Sequence, residues 1–466
     1  MLSKCPLLFW TVIITASRHS TSYSYLYDSL RAGYEDLLAK NMIKVIRSVA
    51  QLHAILILVM WPLPYPGPMN DPSWGYCGLA LNAALQMGMH RPGFHREYGF
   101  PDLTQEQVQL RTVTWMMAFQ TSIGCVFNSA SLYSKANDHR VSTFLGIPPF
   151  IDASPHMDAI LAKPTGLPKV MVAQTDIQLH VARFTLALDG VMEPSSKAIH
   201  LNMFERELER LRSTFEPIWT GDTELNIIGA KLYLYGHLFV ARKSEDSSMQ
   251  NPHHLIGDSS SRRILYSGLA AAVSYIHSFS ELQLPESSPM SPETPSSASP
   301  LVANREWYYP HHYWKNLCFA SFFLLKFLAV ASDATEADQE LARNHLTTAY
   351  NIFMGYPNNK EAVGVAKTIE LLVQTNAIQA EGKVATRLGA SIIYDSLLTF
   401  SQLEKARHAG KLDMSEQEHP AAVQTVLTPV GESFESNFSL ADFLNADWNL
   451  AWETNFFDMG MDIPNH

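Results

Sequence analysis

No two of the four cysteines, Cys5, Cys77, Cys125 and Cys318, stand close enough to make a CxxC pair. That excludes a zinc ribbon and a dithiol redox motif drawn from such pairs. Four scattered thiols are also a poor disulfide framework for a chain of 466 residues, and they read as reduced, buried thiols of an intracellular protein. Charge is scarce, at 17% of residues, and a net charge of −11 offers nucleic acid or an anionic membrane no basic face. No membrane partner is expected. Two apolar runs, Pro6 to Ala16 and Leu52 to Trp61, fall short of the roughly 20 residues a bilayer span needs. The first, behind Lys4, has the outline of a signal peptide ending at Ala16-Ser17. Nothing downstream reads as secreted, and the one sequon, Asn437-Phe-Ser439, lies near the C-terminus. A buried first helix is the expectation.

Catalytic signatures are missing too. No GxGxxG, P-loop, HExxH, GxSxG or EF-hand pattern occurs. The nearest acidic group, Asp333, Glu336, Asp338 and Glu340, stands at a helix start, where acids suit the dipole and the solvent better than a magnesium site. Among the 18 histidines, His311-His312 are neighbours that point in different directions on a helix, and His90 and His95 flank Arg91-Pro-Gly-Phe94 with no carboxylate at helical spacing. No catalytic, cofactor or metal residue is assigned.

What the chain has is apolar residues, 47% of the total, in helical periodicity. Asn41 to Trp61 predicts a helix stopped by Pro62 and Pro64. Ser73 to Met89 predicts another, whose Gly78, Ala80, Ala83 and Ala84 favour close helix packing. Thr104-Gln-Glu-Gln107 reads as a capping box opening a helix with Val108, Thr112, Trp115 and Phe119 on one face. Leu201, Phe204, Leu208, Leu211 and Phe215 make a second stripe, with Glu205, Arg206, Glu209 and Arg210 outside it. Further helices are predicted over 170–190, 224–242, 261–282, 306–332, 335–354, 360–377 and 384–408. No run alternates as a strand would. The predicted fold class is all-α: a large multi-helix domain over 1–411 and a mostly disordered acidic tail over 412–466. Residues 251–261 read as a loop, and 285–300, rich in proline and serine, as a mobile one. In the latter Ser288, Ser291, Thr294 and Ser299 each precede proline and are candidates for phosphorylation.

The tail carries the clearest functional pattern. From Leu412 to His466 there are ten acids and no Lys or Arg. Taking those ten from the net −11 leaves the preceding 411 residues near −1. Nine large apolar residues, among them Phe443, Leu444, Trp448, Trp452 and Phe456, interleave with the acids. Such a segment keeps its aromatics solvated and free to dock as an amphipathic helix, with Leu444, Trp448, Trp452 and Phe456 as the partner-binding candidates.

Gly78-Leu-Ala…Ala84-Leu-Gln-Met-Gly-Met-His-Arg-Pro92 resembles the signature of the fungal-specific transcription factor domain, the helical middle homology region of zinc-cluster regulators. Other segments follow in the order of the subgroup that includes the leucine-biosynthesis regulator. They are Pro6-Leu-Leu-Phe-Trp-Thr11, Gln51-Leu-His through Trp61-Pro-Leu-Pro64, Arg111-Thr-Val-Thr-Trp115, Val141-Ser-Thr-Phe-Leu-Gly-Ile-Pro-Pro149, Ile276-His-Ser-Phe-Ser280 and Arg387-Leu-Gly-Ala-Ser-Ile-Ile-Tyr-Asp395. The resemblance covers about residues 5 to 408. It implies a nuclear transcription regulator whose all-α domain restrains or responds, with a small-molecule effector as one partner and the transcription machinery, reached through the acidic tail, as another. The family's six-cysteine, two-zinc cluster has no counterpart here, so no zinc or DNA contact is carried over, and DNA would be reached only through a lost N-terminal domain or a partner. Residues 124–139 look inserted between two matching segments, as a retained intron would be. Two other readings remain open: a metabolite-sensing helical domain that sequesters a full-length relative, and, as the lesser one, a helical enzyme of secondary metabolism.

Overall fold

The computed structural model describes residues 5–18, 23–64, 72–128, 154–164, 166–188, 194–240, 259–283, 309–331, 333–356, 359–375, 377 and 388–408. Among the described residues every regular element is helical: α1 (Pro6–Arg18), α2 (Ser24–Met42), α3 (Val49–Met60), α4 (Ser73–Gln86), α5 (Gln105–Asn128), α6 (Ser154–Leu161), α7 (Lys169–Leu188), α8 (Pro194–Phe215), α9 (Gly221–Gly236), α10 (Ser259–Gln283), α11 (His311–Val330), α12 (Glu336–Met354), α13 (Lys360–Gln374) and α14 (Ser391–His408), with short 3₁₀ turns between some of them. The all-α expectation holds. The loop 285–300 with Ser288, Ser291, Thr294 and Ser299, and the tail 412–466 with Leu444, Trp448, Trp452 and Phe456, lie outside the described residues. So do residues 129–150; of the segment 124–139, positions up to Asn128 continue α5.

Helix α11 explains the architecture. Residues Leu317 to Phe327 are all buried, round the whole circumference. A helix apolar on every side must be surrounded, and α11 packs against α3, α5, α9, α10, α12, α13 and α14. By length and composition it is the one described helix apolar enough to cross a membrane; its span is 78% buried inside the protein. Each fully buried Phe or Leu there contributes about 1.5–3 kcal/mol relative to exposure. The first helix is buried as expected, with Leu7, Leu8 and Ile14 in a smaller cluster shared with Tyr27, Tyr34 and Leu38 of α2.

Local signals set several helix ends. The Thr104 Oγ1 accepts from the Gln107 N–H at 3.3 Å, while the Gln107 side chain accepts from the Thr104 N–H at 2.9 Å, the reciprocal pair a capping box requires. Thr335 caps α12 by accepting from the Asp338 N–H at 3.2 Å. The acids expected at this helix start are therefore capping and surface groups, and Asp333 pairs with Arg262 at 2.7 Å.

The helix boundaries and one packing face need correction. The helix predicted over Asn41–Trp61 begins only at Val49: the chain breaks between Met42 and Val49, leaving Ile43 and Val45 87% and 65% exposed. The β-branched residues Ile43, Val45 and Ile46 favour an extended path there. Helix α2 is absent from the predicted helices, because Tyr27 and Tyr34 share its inward face with Leu38 and break up the aliphatic periodicity. Tyr34 is buried with its hydroxyl 2.7 Å from the Thr11 Oγ1. In α4, Ala80, Ala83 and Ala84 are buried as expected but Gly78 faces outward, so the alanines alone make the close approach.

Candidate functional site

Three of the segments that carry the family resemblance fold onto one another. Helix α4 stops at Gln86, three residues before the predicted end at Met89. The Gly88 N–H bonds to the Leu85 carbonyl at 2.9 Å, and the Met89 N–H to the Ala84 carbonyl at 3.0 Å. This double bond is the Schellman stop, which needs a left-handed residue, and Gly88 supplies it at φ +68°. A side chain there would also collide with the Tyr98 ring. The turn leaves the Met87 carbonyl free at the negative end of the helix, and the Arg111 guanidinium of α5 donates to it. The other face of Arg111 rests on Phe100, 4.1 Å from the ring centroid.

One turn along α5, Thr114 and Trp115 take up the rest. His53 Nε2 of α3 lies 2.8 Å from the Thr114 Oγ1, and burial pushes the His53 pKa down. Trp115 is fully buried, its ring 5.8 Å from that of His90, which in turn stands 5.0 Å from His156 of α6 and 5.7 Å from Tyr98. The His90 pKa falls through burial, with His156 and then Arg91 adding to the effect. His53, Met87 to His90 and Arg111 to Trp115 thus form one node. The segment 141–149 lies outside the described residues.

The last matching segment builds a second buried polar region. Asp395 of α14 pairs with Lys326 of α11 at 3.3 Å, each side chain 3% exposed. Beside it, a 3₁₀ turn, Leu388–Ala390, packs against the end of α9 and the turn His237–Phe239. His237 is neutral: burial above all, then Lys197, pushes its pKa down to about 3. Its Nε2 and the Ser391 Oγ are buried with no hydrogen-bond partner among the described residues. The Lys197 ammonium donates to the His237 carbonyl at 3.4 Å. Sequence reasoning missed these groups, although Lys326 inside an otherwise apolar helix is itself a signal that a buried partner exists.

His311 Nε2 lies 2.8 Å from a Glu361 carboxylate oxygen, and His95 Nδ1 lies 3.0 Å from the Pro92 carbonyl. His312 is pushed down to about 4 by burial, then by His311 and Lys315. Among the described residues no three His, Cys, Asp or Glu side chains are grouped to hold a metal ion. Cys5, Cys77 and Cys318 are buried, and none forms a disulfide among the described residues.

Comparison with known proteins gives the class. The chain is 30% identical over 247 residues to the transcriptional regulatory protein SEF1 of Candida albicans, an alignment covering 50% of this chain and 24% of that protein. The SEF1 transcription factor of Kluyveromyces lactis is 30% identical over 221 residues, 45% of this chain and 18% of the relative. That of Eremothecium gossypii is 27% identical over 253 residues, 52% and 22% respectively. The chain therefore spans about a quarter or less of the length of the curated relatives it matches. No family model matches it, and no solved structure does. Its relatives are fungal transcription factors.

Proposed function

We propose that this chain is the regulatory body and activation segment of a fungal transcription regulator of the zinc-cluster type, with residues 1–411 as a middle homology domain and 412–466 as the acidic tail. The observation that carries the reading is the 30% identity over 247 residues to a fungal transcriptional regulator. The leucine-biosynthesis-regulator-like subgroup is the finer part of the reading, supported by the collinear motifs, three of which meet around Arg111. The protein acts in the nucleus and is not an enzyme. It contacts DNA only through a zinc-cluster domain on another part of the protein or on a partner. Leu444, Trp448, Trp452 and Phe456 engage the transcription machinery as one apolar face held in solution by the surrounding acids. A small-molecule effector acts on the helical body.

The test is a fusion of residues 412–466 to a heterologous DNA-binding domain upstream of a reporter. Activation is expected, and a fusion of the whole chain should activate less if the body restrains the tail. A silent tail fusion that is expressed and nuclear removes the activation reading.

A further inference from the structure

The short helix α6 meets the end of α4 through two imidazoles. The His156 ring stands edge-on to that of His90, centroids 5.0 Å apart, and both residues are partly exposed. Around His90 stand Arg91 on its own segment, Trp115 of α5, and Tyr98 of the following 3₁₀ turn, whose hydroxyl lies 3.5 Å from the His90 Nε2. Other charged groups of these elements are engaged elsewhere: Arg111 of α5 with the Met87 carbonyl, and Asp158 of α6 with Arg183. The charged groups that act on His90 are His156 and Arg91, both bases.

This joint suits a neutral ring alone. A neutral His90 can carry its proton on Nε2, beside Tyr98, and leave Nδ1 bare. That Nδ1 is buried with no hydrogen-bond partner among the described residues. Protonation makes both nitrogens donors, and a buried charged N–H with no acceptor, next to two bases, is costly. Burial first, then His156 and Arg91, accordingly hold the His90 pKa below its ordinary value. The two sides of the joint are held unequally. Gly88 fixes the turn that carries His90, and Arg111 pins its Met87 carbonyl. Helix α6 has eight residues, packs chiefly on α7 and buries Met157 and Ile160. Its ion pair with Arg183 is solvent-exposed and of the kind that contributes little.

We propose that His90 and His156 form an acid-released latch: in mild acid His90 takes up a proton, α6 lifts from the α4–α5 corner, and the apolar surface under Met157 and Ile160 is uncovered while the rest of the body stays folded. Closed, the joint excludes the proton; open, His90 titrates near 6.5 like an ordinary histidine. Opening therefore grows as pH falls through that value, by about tenfold between pH 7.5 and 5.5 for one linked proton. The latch is independent of what the acidic tail binds.

The experiment is hydrogen–deuterium exchange of the purified full chain, read by mass spectrometry at pH 7.5 and 5.5 and corrected for intrinsic exchange. Peptides covering 154–161 should lose about tenfold in protection at pH 5.5, while those from α5 and α7 keep theirs. His156→Phe retains a ring against His90 without a base, and His90→Gln removes the titrating group; both should keep 154–161 protected at pH 5.5. If His156→Phe loosens α6 at both pH values, His90→Gln carries the test. Equal protection of 154–161 at the two pH values in the wild type overturns the latch, as does the same acid opening in His90→Gln. Simultaneous loss of protection in every helix overturns it as well, because the event is then global unfolding.

Discussion

Gly236, the last residue of α9, and Gly389, in the turn before α14, lie backbone against backbone. A Cβ placed on Gly236 would overlap the Gly389 carbonyl oxygen, and one placed on Gly389 would overlap the Tyr233 carbonyl oxygen. Neither position has room for a methyl group, and neither obstacle is a side chain that can swing away. Gly236→Ala and Gly389→Ala are each expected to lower stability by roughly 1–3 kcal/mol, the range for overpacking a dense core. Urea unfolding checks this, and a loss below about 0.5 kcal/mol would mean that α14 is not seated as described.

The ion pair that holds the same helix makes a sharper prediction. Removing one partner takes the ion pair from a buried charge, so Lys326→Met and Asp395→Leu should each cost about 3–5 kcal/mol. The double variant leaves neither charge and should cost less than either single change. A double-mutant cycle by denaturant unfolding measures the difference. Costs that add would show that the two side chains do not interact.

His237 and His312 make the fold less stable in acid. Both are held neutral by burial, with pKa values pushed down to about 3 and about 4, against an ordinary value near 6.5 in the unfolded chain. Above pH 6.5 neither state carries these protons and the two histidines are silent. Below it the unfolded chain takes up protons that the native chain refuses, so stability falls as pH drops from about 6.5 toward 4. Each histidine contributes a slope of up to about 1.4 kcal/mol per pH unit in that window. His237→Leu should reduce the slope of unfolding free energy between pH 6.5 and 5 by close to one proton. An unchanged slope would place His237 in contact with water.

How much of this was legible before the fold was seen depends on what each residue needed. The capping box at Thr104 and the stripe from Leu201 to Phe215 are local, and both stand where the spacing put them. Helix α2 escaped notice because its buried positions are Tyr27, Tyr34 and Leu38. A tyrosine counts as half polar until its hydroxyl is known to have a partner, here Thr11, twenty-three residues earlier. The end of α4 is a local signal, Gly88, one residue inside the predicted end, whereas the end of α9 packs against Gly389, which no window around that helix contains. The candidate site was legible only as separate motifs: that Arg111 reaches Met87, and that Lys326 reaches Asp395, are facts about packing across distant segments. Once known, they turn isolated charges in apolar helices into the two places where this body is sensitive to chemistry.

The proposed activation segment yields the last prediction. Acids alone give a segment solubility and long-range attraction, which salt screens over about 8–10 Å. Docking into an apolar groove takes its energy from a few buried anchors spaced along a helix. Leu444, Trp448, Trp452 and Phe456 recur every four residues, so they share a face when the segment is helical. In the reporter fusion, Trp448→Ala and Trp452→Ala should each reduce activation several-fold, and the pair should reduce it to near background. Replacing Asp442 and Asp447 by asparagine should cost far less, since the apolar face survives. If the acid substitutions silence the reporter and the tryptophan substitutions leave it active, recognition is by charge and the amphipathic face is not the contact.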